Sequence, residues 1–302
     1  MAYDKSDPRA ALATAVLRKP KTGLIAEAQL ATFYDTAPNI RDKNGASWFL
    51  RGHNFILVQS EAEPGGTFNR NNQPDEYVVL LPSAGAVISV NGKSQNVVGN
   101  SIAFIPPGDS CVTVPEGGRF FRLFTSQSSD LVALCPNAKA YDIPRDHIPS
   151  FQAWPVPLDG WKLRHYSLDV MKEEGRFGRI FRCTTFMVNI LDPYEGPRDS
   201  SKLSPHHHDD FEQGSLVLEG SYSHHLRWPW TTDMADWRDD IEFKVGAPSA
   251  LVIPPPVVHT SRATGSGHNA MVDIFCPPRM DFSLKPGWVL NADDYPMLEV
   301  ES

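Results

Sequence analysis

From residue 48 onward, short apolar runs alternate with clusters of Pro, Gly and Asn. The runs at 54–59, 76–81, 86–90, 101–105, 119–125 and 131–134 have strand length, and their close spacing predicts an all-β barrel or sandwich. Asn91-Gly92 sits between two such runs as a tight hairpin turn. Before them, residues 8–18 predict a short helix closed by Lys19-Pro20, so 1–47 reads as an N-terminal extension with a helical segment. Residues 136–160 carry five prolines and no period, which predicts a linker wrapped on the surface.

The strand pattern then resumes at 161–168 and 179–191. The run from Phe186 to Leu191 echoes Phe55-Ile56-Leu57-Val58, and a Pro/Gly turn follows each, Pro64-Gly65-Gly66 in one and 193–197 in the other. An internal repeat of this kind predicts a duplicated barrel, with units at 48–135 and 161–302. The chain's 302 residues, 41% of them hydrophobic, suffice for two cores. A net charge of −8 without a basic run argues against nucleic-acid and anionic-membrane partners, and no apolar run approaches the ~18 residues that span a bilayer. The N-terminus lacks a secretory pattern, and Cys111, Cys135, Cys183 and Cys276 form no CxxC pair, so the expected setting is cytoplasmic with free thiols. The expected partner is a small-molecule substrate, and a homo-oligomer is compatible with the chain.

The chemistry concentrates in Pro205-His206-His207-His208-Asp209-Asp210-Phe211-Glu212-Gln213, answered by Pro254-Pro255-Pro256-Val257-Val258-His259. On a strand, His206 and His208 would share one face, and His259 would return beside them after the proline turn. Three imidazoles suit Fe, Mn, Ni, Cu and Zn alike. A histidine run by itself is equally a solvated loop, and the downstream Pro-Pro-x-x-x-His is what favours the metal reading.

These residues resemble the cupin family, whose motifs read H-x-H-x(3,4)-E-x(6)-G and P-x-G-x-x-H. His206 and His208 match the histidine pair, Gly220 the closing glycine and His259 the last histidine, while Pro256 stands in place of the second motif's glycine. The acidic position has two candidates. Counting back from Gly220 selects Gln213, whereas Glu212 fits the shorter spacing, and alternation lets only one reach a metal. A Gln213 ligand leaves a divalent ion its full +2 charge and favours an anionic substrate; a Glu212 ligand leaves +1. The resemblance implies tandem cupin barrels with one mononuclear metal. Fe(II) is favoured, with Mn, Ni, Zn or Cu as alternatives, and the expected activity is dioxygenation of a small chelating diol, hydroxy-acid or diketone. A non-redox isomerase or lyase of a sugar acid and a non-catalytic binding or sensor protein are the alternatives.

Laid over the second half, the first puts Asn69-Arg70-Asn71 at the histidine pair, Glu76 at the Gln213 position and Cys111 at the last histidine, a poor metal set that predicts a metal-free copy. The second half carries an insertion at 227–237 with Trp228, Trp230 and Trp237, readable as a lid or as packing against a neighbour. Alternation sends either His224 or His225 inward as an acid, base or orienting group. Arg227 is a candidate for a substrate carboxylate, with Tyr222 and Arg182 behind it. No serine elbow or phosphate loop appears.

Overall fold

The computed structural model describes residues 24–143, 145–209 and 211–298, so the helix expected over 8–18 lies outside the described residues. Two β-barrels are present. The first has a seven-stranded sheet in the order Arg164–Ser167, Ser101–Ile105, Tyr77–Leu81, Gly118–Thr125, Phe55–Ala62, Gly45–Arg51, Ile40–Asp42. It faces a four-stranded sheet, Gly66–Gln73, Gly108–Val114, Ala86–Val90, Lys93–Val97. The second has Gln29–Thr32, Ser249–Ile253, Gln213–Glu219, His268–Phe275, Met187–Ile190 and Arg179–Arg182, with Tyr194–Glu195 paired to one end of His268–Phe275. Opposite lie Ile241–Gly246, Ser221–Arg227 and Val258–Ala263. Among the described residues no helix is long and apolar enough to cross a membrane.

The hairpin read at Asn91-Gly92 is there, both residues at positive φ (49° and 77°) between strands 86–90 and 93–97. The strands that echo each other in sequence take equivalent places. Phe55–Ala62 lies beside Gly118–Thr125, as Met187–Ile190 lies beside His268–Phe275.

The edges differ from the expected division. Arg164–Ser167 pairs with Ser101–Ile105 and so extends the first barrel's sheet, not the second's. In the other direction Gln29–Thr32, from the segment read as an extension, pairs with Ser249–Ile253 of the second barrel. Each barrel thus closes an edge that would otherwise present unpaired N–H and C=O groups, using a strand that precedes or follows the other barrel in sequence.

Alternation along Gly118–Thr125 shows how the cores are built. Phe120 and Phe124 turn into the first barrel with Tyr77, Val79, Ile88 and Val112. Phe121 and Leu123 turn the other way, into a core shared by both barrels with Phe55, Leu57, Phe186, Val188, Leu216 and Ile274. Phe55 and Phe186, equivalent in the repeat, meet edge to face at 6.5 Å. Burying each such ring contributes roughly 1.5–3 kcal/mol. Nor does the 136–160 segment lie wholly on the surface. Trp154 is buried with its N–H on the Thr184 carbonyl, and Tyr141 reaches Glu212. Inside the second barrel Val217, Tyr222, Val245, Ala263 and Met271 form one small apolar cluster, and the buried polar residues Gln213, Ser215, His224 and Asp273 stand near it.

Candidate metal centre

His206 and His208 come from the loop entering Gln213–Glu219, and His259 from the start of Val258–Ala263. A backbone bridge ties them together: His259 N donates to His206 O at 2.7 Å and His206 N to His259 O at 3.0 Å. The ligand-capable nitrogens of the three buried rings all lie within 4.8 Å of one another. His206 Nδ1 sits 2.8 Å from the Ser204 carbonyl and His259 Nδ1 2.9 Å from the Val257 carbonyl. A carbonyl only accepts, so each Nδ1 carries a proton, which leaves Nε2 as the nitrogen that can ligate a metal. His208 packs against Phe211 and Phe275, and burial first, then the Arg279 charge, holds its pKa well below the ordinary value. It is therefore neutral, the form that binds a cation.

Gln213 completes the set. Its Oε1 lies 3.0 Å from His208 Nε2 and 3.4 Å from His259 Nε2. Its Nε2 donates to Ser215 Oγ at 3.0 Å and to Asp273 Oδ1 at 3.1 Å, which fixes the amide so that the oxygen faces the imidazoles. Three ring nitrogens and an amide oxygen brought together in this way suit a divalent metal. Glu212 lies on the opposite strand face. It accepts from His53 N at 2.6 Å and Tyr141 OH at 2.9 Å, at the junction with the first barrel, and so does not reach the imidazoles. Burial, the largest effect, pushes its pKa up to about 7. Gly220, the motif glycine, turns the chain at φ +77°, and a Cβ there would come within 2.3 Å of Asn269 Oδ1.

His206, Gln213 and His259 line a cavity of about 670 Å³, with Asp273, Tyr222, Met271 and Ser261 in its walls and Arg198, Lys202 and Lys172 among its cations. Arg198 is anchored by bonds to Ser261 O, Lys202 O and Ser204 Oγ. Of the histidine pair, His224 turns inward and His225 outward, half-exposed 3.9 Å from Glu242. His224 Nδ1 bonds Ser261 Oγ at 2.7 Å, and burial lowers its pKa to about 3, so it stays neutral and holds Ser261 without acting as an acid. Arg227 points to solvent and pairs with Asp240, away from the cavity, because its strand position alternates with the buried Leu226 and Trp228. Arg182 is buried between the barrels against Trp154 and the Tyr295 carbonyl.

The tryptophan insertion does not form a lid. Trp228 is buried on Ile25, Leu226 and Val257, its Nε1 bonded to Ala26 O, whereas Trp230 (76% exposed) stacks on Trp237 at 4.6 Å outside the cavity. Asp273 was not singled out in the sequence; its signal is a carboxylate between Val272 and Ile274 in the apolar half of its strand.

Strand register locates the counterparts in the first barrel. Gln213 lies opposite Ile253, and Tyr77 opposite Ile105, so Tyr77, not Glu76, corresponds to Gln213, and Glu76 corresponds to Glu212. Ser110 bonds Tyr77 OH at 2.9 Å, as His259 meets Gln213. Cys111, read as the last-histidine position, alternates to the other strand face, half-exposed. Asn69 and Asn71 are exposed, and Phe68 and Arg70 lie between them and the interior.

No protein-family model matches the chain, and no curated protein matches it. Solved structures do. The oxalate decarboxylase–formate complex of Lactobacillus farciminis aligns with a TM-score of 0.57 at 14% identity, over 85% of this chain and 88% of that one. A point variant of the Bacillus subtilis oxalate decarboxylase aligns at 0.56 and 15% identity, over 85% and 79%. A four-residue variant of the same enzyme aligns at 0.57 and 13%, over 89% and 84%. At such identities the likeness is one of architecture, and with the two barrels and their equivalent strands it establishes the fold: two tandem β-barrels of the cupin type.

Proposed function

We propose that the second barrel is a mononuclear metal-dependent enzyme acting on a small chelating carboxylate, with His206, His208, His259 and Gln213 as metal ligands. The observation that carries this is the convergence of His206, His208, His259 and Gln213 beside a cavity whose wall includes His206, Gln213 and His259 together with Arg198 and Asp273. When bound, a divalent ion supplies Lewis-acid polarisation of the substrate's oxygens. Arg198 pairs with a carboxylate through its planar fork. Asp273 accepts a proton from the substrate or returns one, while its bond to Gln213 Nε2 keeps the amide oxygen turned inward. Met271 and Tyr222 supply an apolar wall that limits water beside the reacting atoms. A carboxylate base beside neutral metal donors favours a non-redox lyase or isomerase, and the oxalate decarboxylases that share the fold also act on a small carboxylate.

A second reading, an Fe(II) dioxygenase, draws on the same donors, since four ligands leave two positions of an octahedral ion for a chelate or for substrate with O₂. Elemental analysis of wild type and His259→Ala, followed by turnover of hydroxy- and dicarboxylic acids with and without oxygen, tests both. About one metal per chain in wild type, little in the variant and product without oxygen are expected. Oxygen uptake matched to product would shift the assignment to the dioxygenase, and no metal in either protein would overturn the enzyme reading.

A further inference from the structure

The first barrel's interior carries a buried cation that no carboxylate pairs with among the described residues. Arg122 lies on Gly118–Thr125, 8% exposed, and turns inward between Phe120 and Phe124. Its guanidinium carbon is 4.8 Å from the Phe68 ring centre, 5.3 Å from that of Phe120 and 5.9 Å from that of Phe124. Nη2 donates to Ser60 Oγ at 3.1 Å, and among the described residues Nε makes no hydrogen bond. The neighbouring guanidinium, Arg70, is already taken, both its ends bonded to Asp130 at 2.6 and 3.1 Å. Burial lowers Arg122 only to a pKa of about 10, so it is charged at neutral pH.

Arg122 also faces space. A cavity of about 270 Å³ is lined by it together with Arg70, Phe49, Phe68, Phe124 and Leu131. The acid in that lining, Asp42, is exposed on an outer strand, where it accepts from Asn44 N. Register gives the position a meaning. Arg122 lies opposite Val79, two residues beyond Tyr77, as Asp273 lies opposite Ser215, two residues beyond Gln213. At the place where one barrel sets a carboxylate beside neutral donors for a cation, the other sets a guanidinium beside aromatic rings.

We propose that the first barrel binds a small organic monocarboxylate with an apolar body, its carboxylate on Arg122 and its body against Phe49, Phe68 and Phe124. A guanidinium fork matches a planar carboxylate, a single uncommitted guanidinium balances a single negative charge, and the aromatic lining supplies the apolar contact.

Titration calorimetry with benzoate, acetate and inorganic phosphate tests this. The full-length His259→Ala protein serves as background so that the second barrel's metal does not contribute. One benzoate per chain is expected, with acetate at least tenfold weaker and phosphate not bound. Arg122→Met should lose at least tenfold in benzoate affinity. Because that substitution can also disturb folding, Leu134→Trp, which fills the rim without touching Arg122, provides an independent variant and should weaken benzoate similarly while melting as the parent does. Absence of benzoate binding, phosphate binding as tight as benzoate's, or unchanged binding in the Leu134→Trp protein would overturn the proposal and leave Arg122 as a cation held by three rings and Ser60.

Discussion

Glu76 and Glu212 occupy equivalent positions, and each holds a turn of the opposite barrel. Glu76 accepts from Thr184 N at 2.9 Å, Thr184 Oγ1 at 3.0 Å and Tyr295 OH at 2.8 Å. Glu212 accepts from His53 N and Tyr141 OH. The residue that motif spacing offered as a metal ligand is therefore half of a reciprocal clamp between barrels.

Burial, the largest influence on each, raises the pKa of both carboxyls. A carboxyl raised in the folded state binds more protons there than in the unfolded chain, so its contribution is complete below about pH 4.5 and declines as pH rises above that value. The wild-type melting temperature, compared between pH 4.5 and 8, should therefore carry a downward component that Glu76→Gln removes. Equal pH slopes for the two proteins would refute this account.

Asp273→Asn keeps an acceptor for Gln213 Nε2 but cannot take up a proton. We expect metal content to stay at the wild-type level and kcat to fall by roughly 10²–10⁴. Loss of metal along with activity would instead make Asp273 a support for Gln213.

Phe186 anchors the shared core against Phe55. Truncation to Ala should cost about 3–5 kcal/mol in denaturant unfolding and should destabilise both barrels together. A second transition that leaves the first barrel's stability unchanged would show that the barrels are not one cooperative unit.

Arg227→Ala and Trp230→Ala remove groups that point away from the cavity. Steady-state kinetics of both should match wild type. A rise in KM for either would mean that the insertion folds over the substrate after all.

The two barrels were legible because strand length, turn residues and the echo of Phe55 in Phe186 are local signals. The imidazole cluster was legible because His206 and His208 are two apart and His259 follows a proline turn. Alternation already allowed only one of Glu212 and Gln213 to face the histidines, but which one depends on the register with Ser249–Ile253, a pairing across some forty residues. Comparing the halves by motif spacing shifted Glu76 by one position for the same reason. Arg122 and Asp273 escaped notice because each is a charge flanked by apolar residues, and only pairing shows that they are counterparts.

The crossed edge strands also set an order on synthesis. The Arg164–Ser167 strand follows its partner, Ser101–Ile105, by some sixty residues, so the first barrel can close early. Gln29–Thr32 must wait for Ser249–Ile253. At ribosomal rates of about 5–20 residues per second, that interval is on the order of tens of seconds. Throughout it the nascent chain carries a strand whose partner has not been made, and the second barrel acquires that edge only after Ser249–Ile253 has been synthesised.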